Sequence, residues 1–133
     1  MIKKDMDETS KGFMKHLGGL DLKKIDGTNY EFTVKIQDIH LNTGKIAHGG
    51  FLSTISDTAM GTAAHIVAGD RRCVTINLDI KFISAGMLDD ILKGTVRVLK
   101  KTKTLIFINC EIFNDKGLVI SASGTWKILN LAV

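Results

Sequence analysis

One segment constrains the fold of this chain more than any other. Residues 48–68 form the only long helix candidate: they contain no Pro, they are rich in Ala, and Gly69 follows them as a stop signal. Apolar residues lie nearly all the way round this helix, so we expect it to be buried on most sides. Glycines at positions 49, 50 and 61 have poor helix propensity and indicate close approach to the helix backbone.

The rest of the chain has mostly strand patterns. A turn at residues 26–29 separates two short strands, and residues 74–82 alternate strictly between apolar and polar side chains. Three further strands follow, joined by tight turns, and we expect these four strands to form a meander. Residues 38–47 are predicted to be an irregular loop. Residues 1–17 are a polar lead-in that is expected to contain a short helix, which Gly18 and Gly19 would end.

One long helix cannot cover both faces of such a sheet. The economical solution is an α+β fold in which a curved antiparallel sheet wraps around one long central helix. The length of 133 residues suits a single domain that spans residues 1–133. The edge strands of the sheet need protection, and pairing with a second copy of the chain would supply it.

Composition excludes several classes of protein. The hydrophobic fraction of 44% and the charged fraction of 24% are typical of a soluble globular protein, and no apolar run is long enough to span a membrane. The N-terminal residues form neither a secretory signal nor a mitochondrial presequence. Cys73 and Cys110 form no motif, which favours a reduced, cytoplasmic chain without cysteine chemistry. A net charge of +4 permits a polyanionic ligand but does not indicate nucleic acid.

The helix carries one carboxylate, Asp57, in its middle. No Lys or Arg lies between residues 48 and 69 to pair with it. A buried carboxylate without a partner is costly, so such a group is usually either protonated or kept for chemistry. The other notable feature is the start of the helix at Gly49, where unpaired backbone N–H groups and the helix dipole favour an anion.

This order of elements resembles the hotdog-fold acyl-CoA thioesterases, and most of all the phenylacetic acid degradation type. The resemblance covers residues 18–129, with a downstream strand, a basic turn and a closing strand that match the family pattern. Its central motif lies in the loop before the helix and in the helix itself, and comprises Asn42, Gly44, His48, Gly49, Gly50 and Asp57.

The resemblance implies hydrolysis of an acyl-CoA thioester to a free acid and CoA, without a metal or a redox cofactor. It assigns Asp57 as base or nucleophile, Gly49 as the donor to the oxyanion, and Thr75 as a group that orients water. It makes Asn42 and His48 positioning groups. Gly50 belongs to the same substrate-binding turn.

Helix geometry adds a constraint on this site. Gly49 and Asp57 are eight residues apart, so they lie roughly 12 Å apart along one helix and about 80° apart around it. One thioester carbon cannot be close to both groups in a single chain. The motif therefore makes chemical sense only if an antiparallel partner brings its own Asp57 level with Gly49. We expect a homodimer, with a homotetramer as a dimer of dimers, as the family builds its sites.

The charged end of CoA would need cations. Lys100, Lys101 and Lys103, here called the basic turn, cluster beside the turn between two strands, and Lys81 lies on an earlier strand. These lysines are candidate contacts for the CoA phosphates, although a charge cluster at a hairpin is usually a solvated surface. The four histidines and the two cysteines show no metal-ligand spacing, so no metal site is expected.

Each assigned residue also has a structural explanation that the sequence leaves open. Asp57 could hydrogen-bond Ser53, Ser56 or a neighbouring strand. His48 could cap the helix, Asn42 could cap its loop, and Thr75 could be an ordinary strand residue. Two other functions also remain open: a hotdog hydratase or dehydratase acting on a β-hydroxyacyl thioester, and a non-catalytic module that binds or senses acyl-CoA.

Overall fold

The computed structural model describes residues 11–130 of the chain. The short helix predicted in the lead-in is α1, Gly12–His16, which buries only Met14 and ends at Leu17. Gly18 and Gly19 follow with positive φ angles of 110° and 82°, a backbone region that favours glycine, so they end the helix as predicted. The part of the predicted lead-in before residue 11 lies outside the described residues.

Six antiparallel strands form one curved sheet, which confirms the predicted α+β architecture. Their bounds in chain order are β1 Asp21–Lys24, β2 Asn29–Lys35, β3 Cys73–Phe82, β4 Ile91–Lys101, β5 Leu105–Asn114 and β6 Gly117–Ile128. The turn before β2 is held by the carboxylate of Asp26, which accepts hydrogen bonds from the N–H groups of Thr28 and Asn29. These two bonds and the Asn29 side chain lower the pKa of Asp26.

The predicted meander of four strands is wrong in one respect. The strand order is β1-β2-β4-β5-β6-β3, so β3 does not pair with β4 but lies at the opposite edge beside β6. The reason is that β2 already occupies the free side of β4, with seven paired residues from Asn29–Arg97 to Lys35–Ile91. The loop after β3 therefore crosses to β4 and packs against the loop before α2, with a bridge between Ile46 and Met87, and β3 is left with one open side.

The long helix is α2, Gly49–Val67, capped by His48 and followed by Ala68 and Gly69. It packs against β3, β4, β5 and β6. The fully buried core is formed where its small and apolar residues meet the isoleucines of the sheet, namely Ile55, Ala59, Met60, Ala63, Ile106, Ile108, Ile112 and Ile120. A Cβ atom at Gly61 would stand 3.3 Å from the indole nitrogen of Trp126, which confirms the close approach predicted there.

The strict alternation predicted for β3 is also interrupted. A β-bulge lies between Thr75 and Asn77, so the register against β6 shifts and Ile76 has no paired partner. Beyond the bulge Phe82 faces α2, where its ring lies 3.4 Å from the position of a Cβ on Gly49. Before it, Thr75 faces α2 as well, although strict alternation would place Thr75 and Phe82 on opposite faces.

A loop and a single turn of 3-10 helix, Asp38–His40, lead from β2 to α2. The loop folds back on itself: Leu41 bridges Ala47, and the Asn42 N–H donates to the Ile46 carbonyl at 2.8 Å. The Ala47 N–H donates to Gly86 in the crossover after β3. The loop is thus more regular than the sequence predicts, because these backbone bonds hold it as a short ladder against the crossover.

Candidate active site

The start of α2 leaves the backbone amides of Gly49 and Phe51 without an acceptor within residues 11–130. The His48 N–H donates to the His40 carbonyl at 2.8 Å, and the Gly50 N–H donates to Nδ1 of the His48 ring at 2.7 Å. The amide between them, that of Gly49, has no acceptor within residues 11–130. It lies at the positive end of a helix of 19 residues, where a developing negative charge is favoured.

A side chain would meet different surroundings at the two glycines of this turn. A Cβ on Gly50 would stand 2.9 Å from Nδ1 of His48, so a side chain there conflicts with the cap. A Cβ on Gly49 would make only an ordinary contact of 3.4 Å with the Phe82 ring. The helix cap thus explains Gly50 without a substrate, while the protomer gives no steric reason for glycine at position 49.

Asn42 and Gly49 line the same cleft. It has a volume of about 270 Å³, and its walls come from the loop, the first turn of α2 and the crossover after β3. The Asn42 Oδ1 accepts from the N–H groups of Gly44 at 2.9 Å and Ile46 at 3.3 Å, so the loop-capping interpretation is correct for this oxygen. The Nδ2 of the same amide makes no hydrogen bond within the described residues and remains available as a donor at this cleft.

Asp57 lies two turns further along α2 and is half-buried. Its Oδ1 accepts a hydrogen bond of 2.8 Å from Oγ1 of Thr75 on the edge strand β3. Of the structural partners that the sequence leaves open, the neighbouring strand is the one observed. Ser53 and Ser56 instead donate to the helix carbonyls of Gly49 and Leu52. Thr75 thus holds the Oδ1 oxygen of the Asp57 carboxylate, and the Oδ2 oxygen makes no hydrogen bond with Thr75.

The structure brings these residues together in two groups rather than one. The first contains Asn42 and Gly49 at the cleft together with the adjacent helix cap His48, and the second contains Asp57 and Thr75. The two groups are separated by the eight residues from Gly49 to Asp57, roughly 12 Å of helix. No single small reacting group can contact both within one protomer.

The second group borders the open edge of the sheet. Strand β3 is paired only with β6, and its apolar side chains Val74, Ile76 and Phe82 are 44%, 56% and 56% exposed. Ten residues of unpaired strand edge with exposed apolar side chains form a surface that proteins normally cover. The site residue Thr75 lies within this strand.

The predicted lysines occupy two different places. The basic turn lies at the end of β4 and in the turn before β5, and its three side chains are exposed. Lys81 lies on the outer face of the sheet, in register with Ser121 of β6, because its neighbour Phe82 faces α2. Lys81 is thus on the other side of the sheet from Gly49 and Asp57 of its own protomer.

The cysteines have the properties of buried thiols rather than nucleophiles. Burial raises the pKa of Cys73 to about 11, although the nearby charges of Arg71 and Lys101 oppose this effect. Burial likewise raises the pKa of Cys110 to about 12. Within residues 11–130, no three His, Cys, Asp or Glu side chains are grouped to hold a metal ion. No helix in this part of the chain is long and apolar enough to cross a membrane.

Sequence reasoning missed one residue beside the site. His40 is only 2% exposed, its ring stacks on Phe51 in the first turn of α2, and its carbonyl holds the His48 amide. Its position two residues before Asn42 is the only signal that the sequence offers, and this signal does not distinguish it from the other histidines.

Comparison with known proteins gives a consistent result. A family model described as the thioesterase superfamily matches residues 44–121. Human acyl-coenzyme A thioesterase 13 is 25% identical over 115 residues, which are 86% of this chain and 82% of that protein.

Two solved structures share the fold. One is a hypothetical thioesterase from Streptococcus pneumoniae with coenzyme A, with a TM-score of 0.77 and 27% identity over 86% of this chain and 89% of that one. The other is the PaaI protein of the phenylacetic acid degradation operon of Escherichia coli, with a TM-score of 0.79 and 26% identity over 87% and 83% of the two chains. The resemblance and the fold predicted from the sequence are thereby confirmed: this chain belongs to the thioesterase superfamily and has its hotdog fold.

Proposed function

We propose that this protein is an acyl-CoA thioesterase, which hydrolyses the thioester to a free acid and CoA at a site shared between two copies of the chain. The observation that carries the proposal is the unpaired amide of Gly49. The amides of His48 and Gly50 on either side are engaged, by His40 and by the His48 ring, so the Gly49 N–H is the free donor that lines the cleft at the positive end of α2. A thioester oxygen that gains negative charge needs such a donor.

The remaining groups fit the steps of hydrolysis. Asp57 either removes a proton from water as the water oxygen bonds to the thioester carbon, or attacks that carbon itself and forms an anhydride that water then hydrolyses. In both routes the carbon–sulfur bond breaks and the CoA sulfur leaves as a thiolate that gains a proton. Thr75 orients the Asp57 carboxylate, the Asn42 Nδ2 donates to the carbonyl oxygen or to water, and His48 shapes the turn through its bond to Gly50.

The register of β3 supports a site shared by two chains. Gly49 lies beside Phe82 at one end of β3, and Asp57 bonds Thr75 near the other end. If two β3 strands pair antiparallel about a point between Leu78 and Asp79, Phe82 of one chain lies opposite the partner's Thr75. The Gly49 amide then lies close to the partner's Asp57, as thioester chemistry requires. This pairing would also cover the exposed Val74 and Ile76.

The ligand's charged end is assigned to the basic turn. Its three exposed lysines can attract the phosphates of CoA, and the pneumococcal protein of similar fold is a hypothetical thioesterase whose crystal structure contains coenzyme A. We keep Lys81 as a candidate contact, but its place on the outer face favours the basic turn. Within this proposal the chemistry needs no metal and no redox cofactor. A cytoplasmic location fits the two free, buried cysteines, and a tetramer would pair two such dimers.

The experiment is an assay of free thiol released from short, long and aryl acyl-CoAs. We expect the wild-type protein to hydrolyse at least one class, and Asp57→Asn to lower the rate by roughly 10² or more while it remains folded. Asp21→Asn is the matched control, because it removes an exposed carboxylate from β1, at the opposite border of the sheet from β3, and should leave the rate unchanged. Absence of thiol release from every class, in a correctly folded protein, would refute the proposal.

A further inference from the structure

The buried ring of His40 makes two hydrogen bonds that fix its chemical state. Nδ1 accepts from the N–H of Gln37 at 2.9 Å, so this nitrogen carries no proton. Nε2 lies 2.6 Å from the carbonyl oxygen of Leu17, which can only accept, so Nε2 is the protonated nitrogen. Both bonds are satisfied at once only by the neutral ring with its proton on Nε2.

The same residue joins the loop to the helix. Its ring lies flat on Phe51, with centroids 3.7 Å apart and an angle of 10° between the planes. Its backbone carbonyl accepts from the His48 N–H at 2.8 Å. His40 thus holds the segment after α1, the turn before Asn42 and the first turn of α2 in one arrangement. The ring itself contacts no charged side chain: its partners are the Leu17 carbonyl, the Gln37 N–H and the Phe51 ring.

We propose that His40 is a positioning residue of the thioesterase site: its neutral ring fixes Asn42 relative to the Gly49 amide. This inference rests on the proposed function, because it assigns His40 a role in hydrolysis. Its carbonyl engages the His48 N–H, while the next amide, that of Gly49, lines the cleft without an acceptor in the described residues. Its ring anchors the base of the loop whose tip carries Asn42.

The consequence for catalysis follows from geometry. Asn42 is held by the loop ladder and Gly49 by α2, and within the loop the His40 ring is the side chain that stacks on the helix. If the ring is lost, the two donors can shift relative to one another without unfolding of the sheet. A misplacement of about 1 Å can cost roughly 10² in rate. Substrate affinity depends on the whole acyl-CoA and should change much less.

The first test does not depend on activity. Nitrogen-15 NMR of the histidine rings distinguishes the two neutral forms, and we expect His40 to show the proton on Nε2. We also expect His40→Asn, which keeps an acceptor near Gln37 but loses the stacked ring, to shift the amide resonance of Gly49 and the side-chain amide of Asn42. A ring protonated on Nδ1, or unchanged resonances at Gly49 and Asn42, would overturn the proposal even if the wild type hydrolyses acyl-CoA.

The second test uses the thiol-release assay with a control of matched stability. His40→Asn and Phe51→Leu should each lower kcat by about tenfold or more and change KM by less than about threefold. Ile108→Ala removes a fully buried side chain of β5 and should lower Tm without a comparable loss of kcat per folded molecule.

The two tests separate the failures. A wild-type protein that hydrolyses nothing contradicts the proposed function, and the NMR result then still decides the role of the ring. A wild type that hydrolyses normally, with both variants retaining wild-type kcat or losing no more than Ile108→Ala, contradicts the positioning role alone. If His40→Asn does not fold, Phe51→Leu still tests the positioning role, since it leaves His40 in place and removes only the aromatic ring on which His40 stacks.

Discussion

A site shared by two chains can be tested by mixing two inactive variants. Asp57→Asn keeps the size of the side chain and removes the base. Gly49→Val keeps the amide but adds methyl groups beyond a Cβ that already lies 3.4 Å from the Phe82 ring, so the valine must fill the cleft or displace the ring. Each variant alone should have little activity, because every site in its homodimer carries one of the two defects.

The expected recovery follows from counting sites. A site is intact only if its Gly49 comes from an Asp57→Asn chain and its Asp57 comes from a Gly49→Val chain. With random exchange of equal amounts, each condition is met in about half of the cases, so about a quarter of all sites regain both groups. The fraction is the same for a tetramer built from two dimers. If both groups acted within one chain, no site would be intact and recovery would be zero.

The assay needs reversible dissociation and a measure of exchange. The two variants carry different affinity tags, are mixed in mild denaturant and returned to buffer, and mixed dimers are quantified by sequential purification. Thiol release is then compared with that of wild-type protein treated identically. Zero recovery in a sample with demonstrated mixed dimers and native Tm would refute the shared site. Wild-type rates of thiol release from each variant on its own, after the same treatment, would show that neither residue is catalytic.

Three further predictions follow from the same geometry. Replacing the three lysines of the basic turn by alanine should raise KM more than it lowers kcat, with a larger effect at low salt, whereas Lys81→Ala on the outer face should change KM less. Equal changes in KM from the two replacements would contradict our assignment of the phosphate site. Gly50→Ala should lower stability by about 1 kcal/mol, measured by chemical denaturation, because its Cβ would stand 2.9 Å from the His48 ring and break the helix cap; unchanged stability would show that the ring moves aside at no cost. Ile76→Lys, at a side chain that is 56% exposed, should shift sedimentation from dimer to monomer and abolish thiol release together; an active monomer would contradict both the interface and the shared site.

The long helix and the strands could be predicted because their signals are local. An Ala-rich run without Pro, a capping residue before it and Gly69 after it define α2 to within one residue of its observed bounds, Gly49–Val67. The hairpin before β2 and the tight turns of β4, β5 and β6 are equally local. The strand order is not a local property, since nothing in residues 73–82 indicates whether they pair with β4 or with β6.

The bulge in β3 shows why the details of the site were less predictable. Alternation alone places Thr75 on the face of Asn77 and Lys81, away from Asp57, because a bulge depends on the pairing strand rather than on a pattern within one strand. Only the register shift brings Thr75 to the carboxylate. The link from His40 to Phe51 is similar, since it joins two elements across a loop. Periodicity within either element does not reveal it.

The two edge strands of the sheet differ in a way that limits how many copies of the chain can add to it. At one border β1 has only four residues, and two of them are lysines; at the other, β3 offers ten residues with exposed apolar side chains. Growth by strand addition therefore has one favourable side, and pairing β3 with the β3 of a second copy uses that side in both molecules. The outer borders that remain are the short, charged β1 strands, which are poor templates for further addition. Growth by strand addition therefore stops after two copies and does not continue into a fibre.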